Sequence, residues 1–185
     1  MKYPIIAYGN PVLRKQAPAI EPAEYPHIKE LVADMFETMY TASGVGLAAP
    51  QIGLSKRLFV IDAGGFEDSE YPDLKKAFIN PVILEEMGED WPYEEGCLSI
   101  PGIRAAVERP ESLIIEYYDE NWKKHKEEYS GMAARVIQHE YDHIEGILFT
   151  DHLSSLKKRL YKSKLINISK GIVDAAYRMR FPVKR

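Results

Sequence analysis

The sequence predicts an α+β fold in which mainly antiparallel sheet packs around a central helix. Two observations carry that prediction. Strand-like segments outnumber helical ones, and several follow one another across turn signals as hairpins do. One domain is expected over residues 1–185, a length ample for a core of its own. A basic helix and strand are expected to close it from about residue 153.

The elements follow in order. The opening is Pro-rich and extended. IKELVADMFETMY places apolar residues at 28, 31, 32, 35, 36, 39 and 40, a stripe of period 3.6 that predicts a helix. GVGLAAPQIG (44–53) carries three glycines and a proline in ten residues, so a loop or irregular strand is expected. RLFVID (57–62) reads as a buried strand. AGGFEDSEYPDLKK reads as a surface loop. AFINPVILEE is strand-like, and Pro81 inside it predicts an edge or a bend.

EEGCLSIPGIRAAVERP predicts short extended pieces. SLIIEYYDENWKKHKEEY predicts a hairpin turning at Asp119, Glu120 and Asn121. Ser130 suits the N-cap of the next helix, and Gly146 suits its end. LSSLKKRLYKSKLINIS predicts a second, basic helix over 153–169. Ala175, Tyr177, Met179 and Phe181 alternate with polar or small residues, a period of two that predicts a last strand.

Composition narrows the class. Hydrophobic residues make up 45% and charged residues 28%, which suits a globular chain and not a disordered one. The longest apolar runs are far below the ~20 residues that cross a bilayer, so no membrane partner is expected. The opening MKYPIIAYGNP lacks the apolar core of a signal peptide and the Arg and Ser of a transit peptide, so a cytoplasmic protein is expected. Cys97 is the only cysteine, so no internal disulfide forms. It is a core thiol, a nucleophile or a metal ligand.

Charge is unevenly spread. Residues 154–185 carry +9, and the rest of the chain carries −13. Such asymmetry points either to a polyanionic partner for the tail or to a solvated helix face.

The chemistry concentrates in QHEYDHIEG (138–146). On a helix, residues i and i+4 share a face, so His139 and His143 aim two imidazoles at one point. Two neutral nitrogens at that spacing suit a transition-metal ion. Glu140 lies ~100° round from His139 and borders that face, the place for a general base that takes a proton from water. The pattern H-E-x-x-H is short and also arises by chance, leaving surface or capped histidines as the alternative. Val136, Ile137, Tyr141 and Ile144 mark the helix as buried, and buried polar groups need partners.

A third ligand is required. Some zinc proteases continue the motif with a third histidine, but Phe149 stands at that position. His152 is the nearest substitute, at an unfamiliar spacing. Almost no acid follows Asp151. Cys97, within EEGCLSIPG, is the better placed, and a Cys-His-His set leaves a fourth position open for water.

Three stretches then coincide: GVGLAAPQIG (44–53), EGCLSIP (95–101) and QHEYDHIEG (138–146). Together, in this order and separation, they closely resemble peptide deformylases. The opening YGNPVLRKQA is similar too, and the resemblance spans roughly residues 3 to 155. It is weakest from about residue 156, and the insertion around 63–73 looks peculiar to a subgroup.

The resemblance implies hydrolysis of the formyl group from N-formylmethionyl peptides on newly made chains, with formate as product. By motif position, Cys97, His139 and His143 would hold one divalent ion, Fe²⁺ in the cell, with Zn²⁺, Ni²⁺ or Co²⁺ able to substitute. Glu140 would be the base. Gln51 and the backbone N–H of Leu98 would hold the formyl oxygen, where developing charge needs pre-aimed donors. A Cys97 sulfur ligand would add negative charge to the ion and soften its Lewis acidity. Gln51 also suits a plain capping hydrogen bond.

Substrate contacts follow from the same stretches. Gly44 and Gly46, flanking Val45, let a peptide backbone lie close as an added strand, or they only make turns. Val45, Met132 and Val136 suit either a methionine pocket or ordinary core. Glu95 is expected to pair with Arg109 and brace the Cys97 loop, and Arg104 to sit near the peptide's path. Asp142 orients a ligand histidine or faces solvent, with solvent favoured. His27 and His125 read as surface residues.

Two rivals remain in view. Another metallohydrolase with the same helix would cleave internal amides, against which Phe149 and EGCLSIP stand. A non-catalytic metal-binding or ribosome-associated protein would have no need of Glu140. The +9 tail suggests ribosomal RNA as a docking partner through phosphate contacts, without specific DNA binding.

Overall fold

The computed structural model describes residues 1–66 and 70–182. Its elements are β1 (Ile5–Ile6), α1 (Ile28–Thr41), β2 (Gly46–Ala48), β3 (Leu58–Asp62), β4 (Lys75–Cys97), β5 (Ile100–Tyr118), β6 (Lys124–Ser130), α2 (Gly131–Ile144), α3 (Ser155–Ser169) and β7 (Met179–Arg180). Short 3-10 turns at Pro11–Arg14, Pro22–Glu24, Ala49–Ile52 and Phe149–His152 join them. The α+β fold with mainly antiparallel sheet is as the sequence predicts. No helix among the described residues is long and apolar enough to cross a membrane.

Five strands form one antiparallel sheet in the order β2-β3-β4-β5-β6. The expected short pieces around Cys97 are instead two long strands, β4 and β5, turning at Leu98 and Ser99. Pro81 and Gly88 look like breakers in the sequence. The ribbon absorbs them, because its register shifts between Ile79 and Val82 and between Met87 and Asp90. Pro81 therefore marks a bend inside an interior strand. The β5–β6 hairpin turns where expected, because the Asp119 carboxylate accepts from the backbone N–H groups of Asn121 and Lys123.

α1 buries the predicted stripe through Ile28, Leu31, Val32, Met35 and Met39. α2 lies against the sheet and buries Ala133, Ala134, Ile137 and Ile144 with Phe59, Phe78, Leu113 and Ile115. Ser130 stands at its N-cap but donates its hydroxyl to Glu70 at 2.7 Å instead of capping. Gly146, at φ +76°, ends the helix in the left-handed conformation that glycine adopts freely.

α3 is largely exposed, with Ile168 as its one buried residue. The last strand is shorter than expected: only Met179 and Arg180 pair, in parallel with Ile5 and Ile6. The alternation is that of a half-buried extended chain, and only two residues of it meet a partner strand. The predicted 63–76 loop falls partly on 67–69, outside the described residues, as do Lys184 and Arg185 of the basic tail.

Candidate metal centre and substrate cleft

α2 presents His139 and His143 one turn apart, with ring centroids 5.1 Å from each other. Cys97 reaches them from the end of β4, its sulfur 3.3 Å from His143 Nε2. One donor atom from each of Cys97, His139 and His143 lies within 4.8 Å of the others. Among the described residues no further His, Cys, Asp or Glu joins this group. His152 stays outside it, hydrogen-bonded to Asp142 at 2.8 Å. Phe149, where a third protease ligand would stand, stacks instead on the His139 ring with centroids 6.1 Å apart.

Glu95 ties the two sides of the cluster together. It is buried, two residues before Cys97, and lies 2.9 Å from His139 Nδ1. With a carboxylate as acceptor, Nδ1 carries a proton, so Nε2 is the nitrogen that would face an ion once the ring is neutral. Arg109 donates to both Glu95 oxygens, at 2.6 and 3.0 Å, as its sequence position suggested. Arg135 adds a donor at 2.9 Å. Burial would raise the Glu95 carboxyl, but the hydrogen bonds of His139 and Arg109 hold it well below the usual carboxylate range.

Asp142 neither orients a ligand histidine nor faces open solvent. It is mostly covered and accepts from Arg109 at 2.9 Å, so it extends the Glu95 network. Arginine's several donors make that reach possible. His125 likewise departs from the expected surface position: it stacks on Tyr117 and bonds Asp119 at 2.8 Å. His27 is exposed.

Glu140 is buried against β2, and its Oε2 has no hydrogen-bond partner. Burial pushes its carboxyl up to about 7, against the opposing pull of His139. Gly46 makes room for it: a Cβ there would come within 2.8 Å of Glu140 Cγ and Cδ. A Cβ on Gly44 would meet Leu98 Cδ1 at the same distance. Neither glycine has a positive φ, so close approach and not turn formation explains both.

Gln51 makes the capping hydrogen bond that its position suits. Its Oε1 accepts from the Ala48 N–H at 2.9 Å, which leaves the amide nitrogen facing Cys97 Sγ at 3.5 Å and Ser99 Oγ at 3.3 Å. Gly44, Val45, Gly46, Leu98 and Arg104 line the same cleft of about 540 Å³, together with Met132 and Val136. Arg104 donates to the Glu94 carbonyl at 2.7 Å and keeps an exposed side.

The donor set fits a transition-metal ion. Sulfur and imidazole ligands favour such ions over Mg²⁺ or Ca²⁺. Burial, with the neighbouring His139, lowers the His143 pKa well below its usual value, which keeps that imidazole in the neutral form that binds metal.

Sequence reasoning missed part of the cleft. Arg135 had a weak signal, as a charge inside an apolar helical run. Phe66, Tyr93 and the segment Asp174–Tyr177 also line the opening. Nothing local to these residues announced it, because they come from separate parts of the chain.

A buried acid beside paired histidines and a cysteine, held between a helix and an antiparallel ribbon, defines the class: a hydrolase with a candidate metal centre. Residues 2–159 match the family model described as "Polypeptide deformylase". A peptide deformylase of Cytophaga hutchinsonii is 63% identical over 185 residues, spanning the whole of both chains. One from Christiangramia forsetii is 61% identical, covering 98% of this chain and 97% of its own. The crystal structure of peptide deformylase from Thermus thermophilus matches with a TM-score of 0.81 and 43% identity, over 92% of this chain and 99% of that one. That of Legionella pneumophila matches at 0.80 and 38%, over 92% and 96%. The chain belongs to the polypeptide deformylase family.

Proposed function

We propose that this cleft removes the formyl group from N-formylmethionyl peptides, using one divalent ion held by Cys97, His139 and His143. The convergence of these three donors beside the buried Glu140 carries the reading. Fe²⁺ is the ion this family uses in the cell, and Zn²⁺, Ni²⁺ or Co²⁺ fit the same donors. When bound, such an ion supplies a Lewis acid that polarises the carbonyl and makes water a better nucleophile.

The chain's own residues do the rest. Glu140, poised near neutrality by burial, takes the proton of the attacking water and returns it to the leaving amine. The Gln51 amide and the Leu98 N–H stabilise the negative charge that grows on the formyl oxygen. The products are formate and a free amino terminus.

The peptide adds to the sheet at β2. That strand is an edge, and Gly44, Val45 and Gly46 line the cleft beside it. Val45, Met132 and Val136 receive the methionine side chain. Arg104 lies further along the peptide's path. The reaction belongs in the cytoplasm, where new chains emerge, and the basic C-terminal segment docks on ribosomal RNA. Formate release from formyl-Met-Ala-Ser, lost in Glu140→Ala with metal retained, tests the central reading.

A further inference from the structure

We infer that the C-terminal segment 171–182 is a working part of the active site, with the Tyr177 hydroxyl as the positioning group for Leu98. The inference deepens the deformylase reading and rests on it. The family match ends at residue 159, so it assigns nothing to this segment.

The segment is a strap pinned at both ends. At one end the Ile172 N–H donates to the Asn167 carbonyl at 2.9 Å, closing α3. At the other, the carbonyls of Arg178 and Arg180 accept from the Ile5 and Ala7 N–H groups at 2.9 Å each. Between these anchors Asp174–Tyr177 forms one wall of the cleft. Val173, Ala175, Tyr177, Met179 and Phe181 are half-buried while the intervening residues are exposed.

One hydrogen bond links the strap to the chemistry. The Tyr177 hydroxyl donates to the Leu98 carbonyl at 2.7 Å. The next carbonyl, of Ser99, accepts from the Tyr8 N–H at 2.9 Å. Both carbonyls of the turn between Cys97 and Ile100 are therefore held from outside the hairpin. One is held by the N-terminal segment and the other by the strap.

This matters because of what the turn carries. Cys97 is the proposed ligand, and the Leu98 N–H is the proposed donor to the formyl oxygen. The N–H and the C=O of one residue are related by two soft torsions only. Holding the Leu98 carbonyl, with Cys97 and Ser99 fixed on either side, restricts both torsions and so aims its N–H. A donor that must meet developing charge acts through such pre-aiming, and a small misplacement is costly. The ring of Tyr177 packs against the core around α1, so loss of the hydroxyl alone leaves the packing in place.

The test uses Tyr177→Phe in the full-length, metal-loaded protein, with wild type and Tyr40→Phe beside it. Tyr40 donates to Asp62, outside the cleft, so its variant controls for loss of a phenol. For Tyr177→Phe the expected results are a kcat on formyl-Met-Ala-Ser down about tenfold, with KM within about twofold. The zinc-loaded variant should also exchange its Leu98 amide hydrogen about tenfold faster, with metal content and Tm unchanged. Unchanged kcat and exchange beside an active wild type would overturn the inference alone. A kcat loss tracking a lower Tm or lost metal would overturn it too, by reducing Tyr177 to a packing role. A loaded wild type that releases no formate would overturn the deformylase reading and this inference with it.

Discussion

His139 Nδ1 lies 2.9 Å from a carboxylate oxygen of Glu95, which stands two residues before Cys97 in the same strand. One buried acid thus links the helix that carries two of the proposed ligands to the ribbon that carries the third. Arg109 and Arg135 satisfy its remaining lone pairs, so the link is held from three sides. Partners of this kind orient a ligand histidine and fix its tautomer.

Replacing Glu95 by Ala should therefore damage both the fold and the metal centre. It leaves Arg109 and Arg135 buried without their shared partner, at a cost of about 3–5 kcal/mol. Metal affinity should fall about 10–100-fold. Urea unfolding and metal titration read the two effects separately. An unchanged metal affinity in a folded variant would remove Glu95 from the account.

Gly46→Ala should be harmful despite its small size. Its Cβ would press on Glu140 Cγ and Cδ at 2.8 Å, and the seat is too tight to yield freely. The expected outcome is a loss of kcat of about a hundredfold, with about 1–3 kcal/mol of stability. Steady-state kinetics beside a denaturation curve measures both. A variant as active as wild type would show that the Glu140 carboxylate is free to move.

Glu127 should contribute to acid sensitivity. Burial pushes its carboxyl up, but hydrogen bonds from Lys76, Tyr117 and Tyr129 outweigh burial and leave the pKa below its ordinary value. A depressed carboxylate stabilises the fold above its unfolded pKa, and that contribution fades as pH falls through the folded pKa. Glu127→Gln should show a flatter decline of stability on acidification below pH ~4.5 than wild type. Parallel declines in the two proteins would contradict this.

The proposed ribosome contact needs charge reversal, not truncation. Deleting residues 156–185 would also remove Tyr177 and the strand that pairs with β1. Lys157→Glu, Lys158→Glu and Lys162→Glu, on a largely exposed helix, leave both in place. The triple variant should bind ribosomes more weakly and with a shallower salt dependence, while turning over free peptide normally. Binding equal to wild type in cosedimentation would refute the contact.

What was legible in the sequence was local chemistry. H-E-x-x-H needs only helical spacing to bring His139 and His143 together, and the Glu95–Arg109 pair needs only adjacent strands. Cys97 is the donor left once Phe149 stands where a third histidine would and almost no acid follows Asp151. The long β4–β5 ribbon was hidden because Pro81 and Gly88 signal breaks, and only the paired strand shows them as register shifts. Asp142 and Tyr177 were misjudged or missed for another reason. Their partners, Arg109 and Leu98, lie 33 and 79 residues away, a relation that no local pattern encodes.

The most direct test is formate release from formyl-Met-Ala-Ser by protein purified without oxygen, with metal content measured and Glu140→Ala alongside. The account predicts release by the wild type and a loss of about a hundredfold or more in a variant that keeps its metal. No release from folded, Fe²⁺- or Ni²⁺-loaded wild type, or undiminished release from metal-replete Glu140→Ala, would contradict it.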